Sequence, residues 1–126
     1  MYKFRQPVFV AELNLEAVLT IPETAVNYRP LPKFPGISRD VSFIADRSVT
    51  FESIREEILD QKPEICRSVD FVDVYEGKGL GDNERSITIR FEYRSDERTL
   101  TEDDVDPVHH KLINSVVQKL VMRLRT

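Results

Sequence analysis

Residues 70–94 read DFVDVYEGKGLGDNERSITIRFEYR, and their alternation decides the fold. In the second half, Ile87, Ile89, Phe91 and Tyr93 share one face, while Ser86, Thr88, Arg90, Glu92 and Arg94 share the other. In the first half, Val72 and Val74 point one way and Phe71, Asp73 and Tyr75 the opposite way. A period of two with the apolar residues on one side predicts strands that bury one face and wet the other. The joining GKGLGDN has the Gly and Asn/Asp content of a turn and is long enough to reach away from the sheet. The wetted face then carries two rings, Phe71 and Tyr75, beside a carboxylate. Rings in that position are costly unless something flat covers them.

Outward from the hairpin, the pattern continues on both sides. DVSFIA at Asp40–Ala45 alternates Val41, Phe43 and Ala45 against Asp40, Ser42 and Ile44, a third strand. Thr50 is placed to cap a helix through Leu59 with Phe51, Ile54 and Ile58 on one side, and Pro63 stops it. After the hairpin, Thr101 and Asp104 have capping-box spacing, and Glu102–Asp104 puts negative charge at the positive end of a helix dipole. Val105, Val108, Leu112, Val116 and Leu120, widened by Ile113 and Val117, form its apolar stripe. Pro107 falls early in this helix, where it costs a hydrogen bond or moves the start to Asp106. VMRLR closes with a short fourth strand. The order βαββαβ predicts an α+β, ferredoxin-like sandwich: a four-stranded antiparallel sheet with two helices on one face. Both stripes face the Val41/Val74/Ile89 side, which leaves the Ser42/Tyr75/Ser86 side open.

Upstream, PVFVAEL reads as a strand and NLEAVLT as a short helix, too little to bury its own apolar faces. Residues 1–28 therefore suggest the trailing edge of a truncated upstream domain. NYRPLPKFPG, with three prolines, suggests a semi-rigid linker over residues 29–39, leaving 40–126 for the sandwich.

The 126 residues suit one domain of ordinary size, and 40% hydrophobic with 32% charged residues is an ordinary composition. No apolar run approaches the roughly 20 residues of a membrane span, and no signal-peptide pattern opens the chain, which points to a cytoplasmic protein without membrane contact. The lone Cys66 suits a reducing compartment and a packing role, and cannot hold an iron–sulfur cluster. The net charge of −4 argues against a strongly basic phosphate-binding surface. The first 39 residues hold five basic and three acidic groups, so the rest holds 13 against 19.

No catalytic constellation stands out. GKGLG lacks the Walker spacing and a following helix, and reads as a turn. His109 and His110 are adjacent on a helix and cannot share one metal, and no other His or Cys cluster exists to hold one. The open face is the candidate site. Base–aromatic stacking does not require a basic protein, and four-stranded sheets that present rings to unpaired bases are a common mode of single-stranded RNA recognition. Tyr75 sits beside the loop, Asp73 can accept from base amino or imino groups, Ser42 and Ser86 flank them, and Arg90 with Arg85 can meet phosphate. Phe71 and Tyr75 equally suit a cover by a terminal segment or a partner protein.

SRDVSF, FVDVYEGKGL and ERSITIRFEYRSDERTLTEDDV, with the closing Leu124–Arg125, resemble the ferredoxin-fold anticodon-binding domain that ends the β chain of bacterial phenylalanyl-tRNA synthetase. The likeness runs from about Pro30 to Arg125. It is specific through Asp73, Tyr75 and Gly77 taken with Ser86 and Arg98–Thr101. It extends to PVFVAELNLEAVL, which looks like the end of the preceding domain. The resemblance implies recognition of the anticodon stem-loop of phenylalanine tRNA. Tyr75 would stack on the first anticodon base, with Asp73, Ser42 and Ser86 near base edges. It implies a parent class II, ATP-dependent phenylalanine–tRNA ligase, partnered by the rest of the β chain and by an α chain. ATP and magnesium then belong to the intact synthetase, and this fragment is catalytically silent with no cofactor of its own. Arg85 stands where lysine is usual. The alternative is a protein-interaction or small-ligand regulatory domain on the same fold.

Overall fold

The computed structural model describes residues 5–22, 28 and 31–125. The chain divides into two units, Met1–Pro30 and Leu31–Thr126. In the first, helix α1 (Leu15–Leu19) begins at Asn14, whose side-chain oxygen accepts from the Ala17 N–H at 3.3 Å. PVFVAEL, expected as a strand, forms none. A strand persists only with a ladder partner, and no described residue pairs with it.

The second unit runs β1 (Ile37–Asp46), α2 (Phe51–Asp60), β2 (Cys66–Tyr75), β3 (Glu84–Tyr93), α3 (Glu102–Lys119) and β4 (Arg123–Leu124). This is the expected βαββαβ order, in one antiparallel sheet of strand order β2-β3-β1-β4. Strand β1 begins at Ile37, inside the stretch expected as linker. Thr50 and Ser53 cap α2 reciprocally, each accepting from the other's backbone N–H. At α3 the Asp104 carboxylate accepts from the Thr101 N–H and hydroxyl, both at 2.8 Å, and from Arg98. These donors, Arg98 first, hold its carboxyl well below the usual carboxylate range. Pro107 does not delay α3, which starts at Glu102 and runs through it. The lost donor sits one turn in, on the exposed side, where water can satisfy the freed carbonyl.

One core forms between the sheet and both helices. Phe43, Ile87, Ile89, Phe91 and Tyr93 meet Ile54 and Ile58 of α2 and Val105, Leu112, Ile113 and Val116 of α3. His109 joins them: it is buried, its Nδ1 lies 2.7 Å from the Tyr93 hydroxyl, and its ring meets Phe91 edge-on. Burial keeps His109 below the ordinary histidine range, and the same cause pushes the Tyr93 phenol up. Burial likewise pushes the Cys66 thiol up to about 11, which suits its expected packing role.

Candidate nucleic-acid interface

The register fixes which side chains share the helix-free face. β1 and β3 place Ser42 opposite Thr88, Ile44 opposite Ser86 and Asp40 opposite Arg90. On β2, Asp73 faces Thr88 and Tyr75 faces Ser86. Ser42, Asp73, Tyr75, Ser86 and Arg90, named from alternation and resemblance, therefore lie on one surface.

Phe71 does not join them. The β2–β3 register shifts between Phe71 and Asp73, so Val72 is an extra residue with no partner of its own. A bulge of this kind resets the side-chain parity. Phe71 pairs with Ile89 on the helix face and meets the Phe51 ring of α2 edge-on at 5.9 Å. Asp73 steadies the kink, its carboxylate accepting from the Val74 N–H at 2.8 Å. Arg85 also leaves the set. It shares the parity of Ile87, faces Ala45, and donates to the Val49 carbonyl at 2.7 Å on the helix side.

The hairpin loop is tied down at its two ends, while residues 77–82 between them are largely exposed. Arg47 donates its N–H to the Asn83 carbonyl, Asn83 donates to Asp46, and Arg47 pairs with Glu76. The loop is thus tied to the turn after β1. Gly79 supplies the one positive φ in it, +92°.

Within this frame Tyr75 is 39% exposed, not part of the packed interior. Its hydroxyl end lies against Gly77, where an added Cβ would stand 2.9 Å from the phenol oxygen, so a larger residue there would push the ring. The Arg125 guanidinium stands over the ring at 4.7 Å from its centre. Arg125 is held by its own N–H, which donates to the Ser42 carbonyl at 2.9 Å and prolongs the β4 pairing. Tyr75 and Arg125 thus reach toward each other from opposite edges of the sheet, across β3 and β1. Beneath that span Ser86 is only 1% exposed, and its Oγ has no hydrogen-bond partner. Ile44 beside it is 9% exposed although no helix lies above it.

The remaining polar groups on this face are already engaged. Ser42 and Thr88 share a hydrogen bond at 2.8 Å. Arg90 grips Asp40 with two bonds of 2.7 Å, which lowers the Asp40 carboxyl and raises the arginine. Arg123 pairs with Glu84 at 2.6 Å. A face whose arginines are largely neutralised binds through shape, stacking and base edges rather than phosphate attraction. Among the described residues no group of three or more His, Cys, Asp or Glu could hold a metal ion. No helix is long and apolar enough to cross a membrane among them either.

Residues 32–125 match the family model of the ferredoxin-fold anticodon binding domain. The chain belongs to that family. Its similarity to curated proteins follows the same line. It is 31% identical over 120 residues to the phenylalanine–tRNA ligase beta subunit of Syntrophotalea carbinolica, covering 95% of this chain and 15% of that protein. It is 32% identical over 124 residues to the corresponding subunit of Clostridium acetobutylicum, covering 98% and 16%. With that of Halalkalibacterium halodurans it shares 35% identity over 108 residues, covering 86% and 13%. The chain thus spans about one-seventh of the length of these relatives, and the anticodon-binding family accounts for nearly all of its sandwich unit.

Sequence reasoning missed Arg125 and the covered state of Ser86. The signal for both was the closing strand: once β4 lies beside β1, Arg125 falls on the parity of Ser42.

Proposed function

We propose that this domain recognises the anticodon stem-loop of phenylalanine tRNA on its helix-free face, as part of a phenylalanine–tRNA ligase beta subunit. The observation that carries the reading is Tyr75: a partly exposed ring on the open face, beside Asp73 and over a Ser86 hydroxyl without a partner. The ring supplies a stacking platform for the first anticodon base. Asp73 accepts from a base amino or imino group, and Ser86 gains the hydrogen bond it lacks. Ser42 serves by its bond to Thr88, which keeps the floor of the face polar. Arg90 meets phosphate only by sharing itself with Asp40.

Residues 1–28 fit the end of a preceding domain. Leu13, Leu15 and Leu19 are exposed, as they would be once separated from a larger body. The alpha chain, ATP, magnesium and the ligation chemistry belong to the intact cytoplasmic class II enzyme, and no step assigned to these residues passes through them.

The test is an NMR titration of the chain with the anticodon stem-loop. Shifts centred on Tyr75, Asp73 and Ser86 are expected, and Tyr75→Ala should cost roughly 1–3 kcal/mol of binding. Identical binding by wild type and Tyr75→Ala would sink the reading. Shifts on this face with a free amino acid but none with RNA would favour a regulatory ligand domain instead.

A further inference from the structure

We propose that Arg125 is a base-positioning residue. Its guanidinium occupies the open side of the Tyr75 ring in the free protein, and once an unpaired base enters it closes over that base's far side, making a ring–base–guanidinium stack above Ser86. The inference rests on the reading of this face as an RNA surface.

Four features converge on it. The hydroxyl end of Tyr75 abuts Gly77, and the guanidinium covers the ring's face at 4.7 Å. A base stacking on that face must take the place Arg125 now holds. Second, the contact is an easy one to exchange. Arg90 and Arg123 on the same face are bound to Asp40 and Glu84, whereas Arg125 makes no salt bridge among the described residues. A cation–π contact at an exposed site is weaker than base–aromatic stacking, so entry of the base is downhill.

Third, the root of the side chain stays fixed. The Arg125 N–H is bonded to the Ser42 carbonyl at 2.9 Å, so the guanidinium moves on a tether whose anchor lies across the sheet from Tyr75. That tether keeps it above the same spot when a flat group is interposed. Guanidinium planes stack on bases as readily as on aromatic rings. Fourth, the pair shields a buried hydroxyl that has no partner, at 1% exposure. Such a group is costly in a finished structure, and a base edge arriving beneath the two planes would supply the missing bond.

The experiment uses the chain and the phenylalanine anticodon stem-loop. In the free protein, the Arg125 side-chain protons should be shifted upfield by the Tyr75 ring current, a shift that Tyr75→Leu abolishes. With RNA bound, Arg125 should show contacts to base protons in place of the Tyr75 ring. Arg125→Ala should weaken binding about three- to thirty-fold. Arg125→Lys keeps the charge and the salt dependence but lacks the plane, and should recover less than half of that loss on a logarithmic scale. Full recovery by lysine would make Arg125 a phosphate contact and overturn the proposal. Unchanged or tighter binding by Arg125→Ala would make it a mere placeholder, with the same consequence. If Tyr75→Ala weakens binding and Arg125→Ala does not, only this inference falls. If neither matters, or the wild type does not bind, the RNA reading of the face falls with it.

Discussion

On one side of the sheet Phe43, Ile89 and Phe91 are shut away from water beneath two helices. On the other, Ser42 and Thr88 meet across the strands with no helix above them. The two faces belong to one sheet, whose three long strands serve both residue by alternate residue, yet they are finished by opposite means. The first is closed by apolar packing, where each side chain removed leaves a cavity. The second is closed by pairwise polar contacts, Asp40 with Arg90 and Glu84 with Arg123, and by one ring under one guanidinium. The difference separates stability from recognition on a structure only one sheet thick. Changes on the first face should unfold the domain, and changes on the second should alter what it binds.

Phe91→Ala is the strongest challenge to that division. Phe91 is fully buried and touches the Tyr93 and His109 rings, so its loss should cost about 3–5 kcal/mol in urea unfolding. A cost as small as that of an open-face substitution would break the comparison. Tyr93→Phe should follow at roughly 1–3 kcal/mol, because it strands the buried His109 Nδ1 without its partner. The same pair sets a pH dependence. The folded-state pKa of His109 is depressed, so below about pH 6.5 the unfolded chain takes up a proton that the folded chain refuses. Stability should therefore fall as pH drops from about 7 towards 5.5, and the slope should flatten in His109→Phe. Equal slopes would remove His109 as the cause.

On the polar face the effects should be smaller. Breaking the exposed Asp40–Arg90 pair with Asp40→Asn should cost no more than about 1 kcal/mol in the same assay. Ser86→Ala sharpens the comparison most. Its hydroxyl bonds nothing in the free protein, so denaturant unfolding should show it neutral or slightly stabilising, while RNA binding weakens. Destabilisation above about 1 kcal/mol would mean that the hydroxyl serves the fold after all.

Much of this was legible in the residues because it is periodic. Ile87 to Tyr93 alternates without a break, and Thr50 and Thr101 sit where caps belong, so strands, helices and their inward faces follow from spacing. The errors fall where the period is broken or where contact joins distant stretches. An extra residue at Val72 leaves no mark on composition, so alternation alone gives Phe71 the parity of Tyr75, whereas it belongs to that of Ile89. The charge of Arg85 suggests a phosphate contact, although the same alternation that buries Ile87 turns it inward. His109 lies four residues after Val105 and four before Ile113, a position on the apolar stripe that its polarity concealed. The meeting of Tyr75 and Arg125 depends on β4 lying beside β1, which no local pattern announces.

The irregularity at Val72 acts on direction much as a frameshift acts on codons. Between it and a second shift after Cys66, β2 addresses the helices through the odd-numbered Val69 and Phe71, and downstream of it through the even-numbered Val74. Deleting that single residue would leave Phe71 opposite Ile89 and Asp73 opposite Thr88 in an unbroken ladder, whereas pairing Val72 as an ordinary residue would turn Tyr75 onto the helix side. Transferring residue roles between related chains by counting along this strand is therefore safe only when both additional residues, Arg67 and Val72, are counted too.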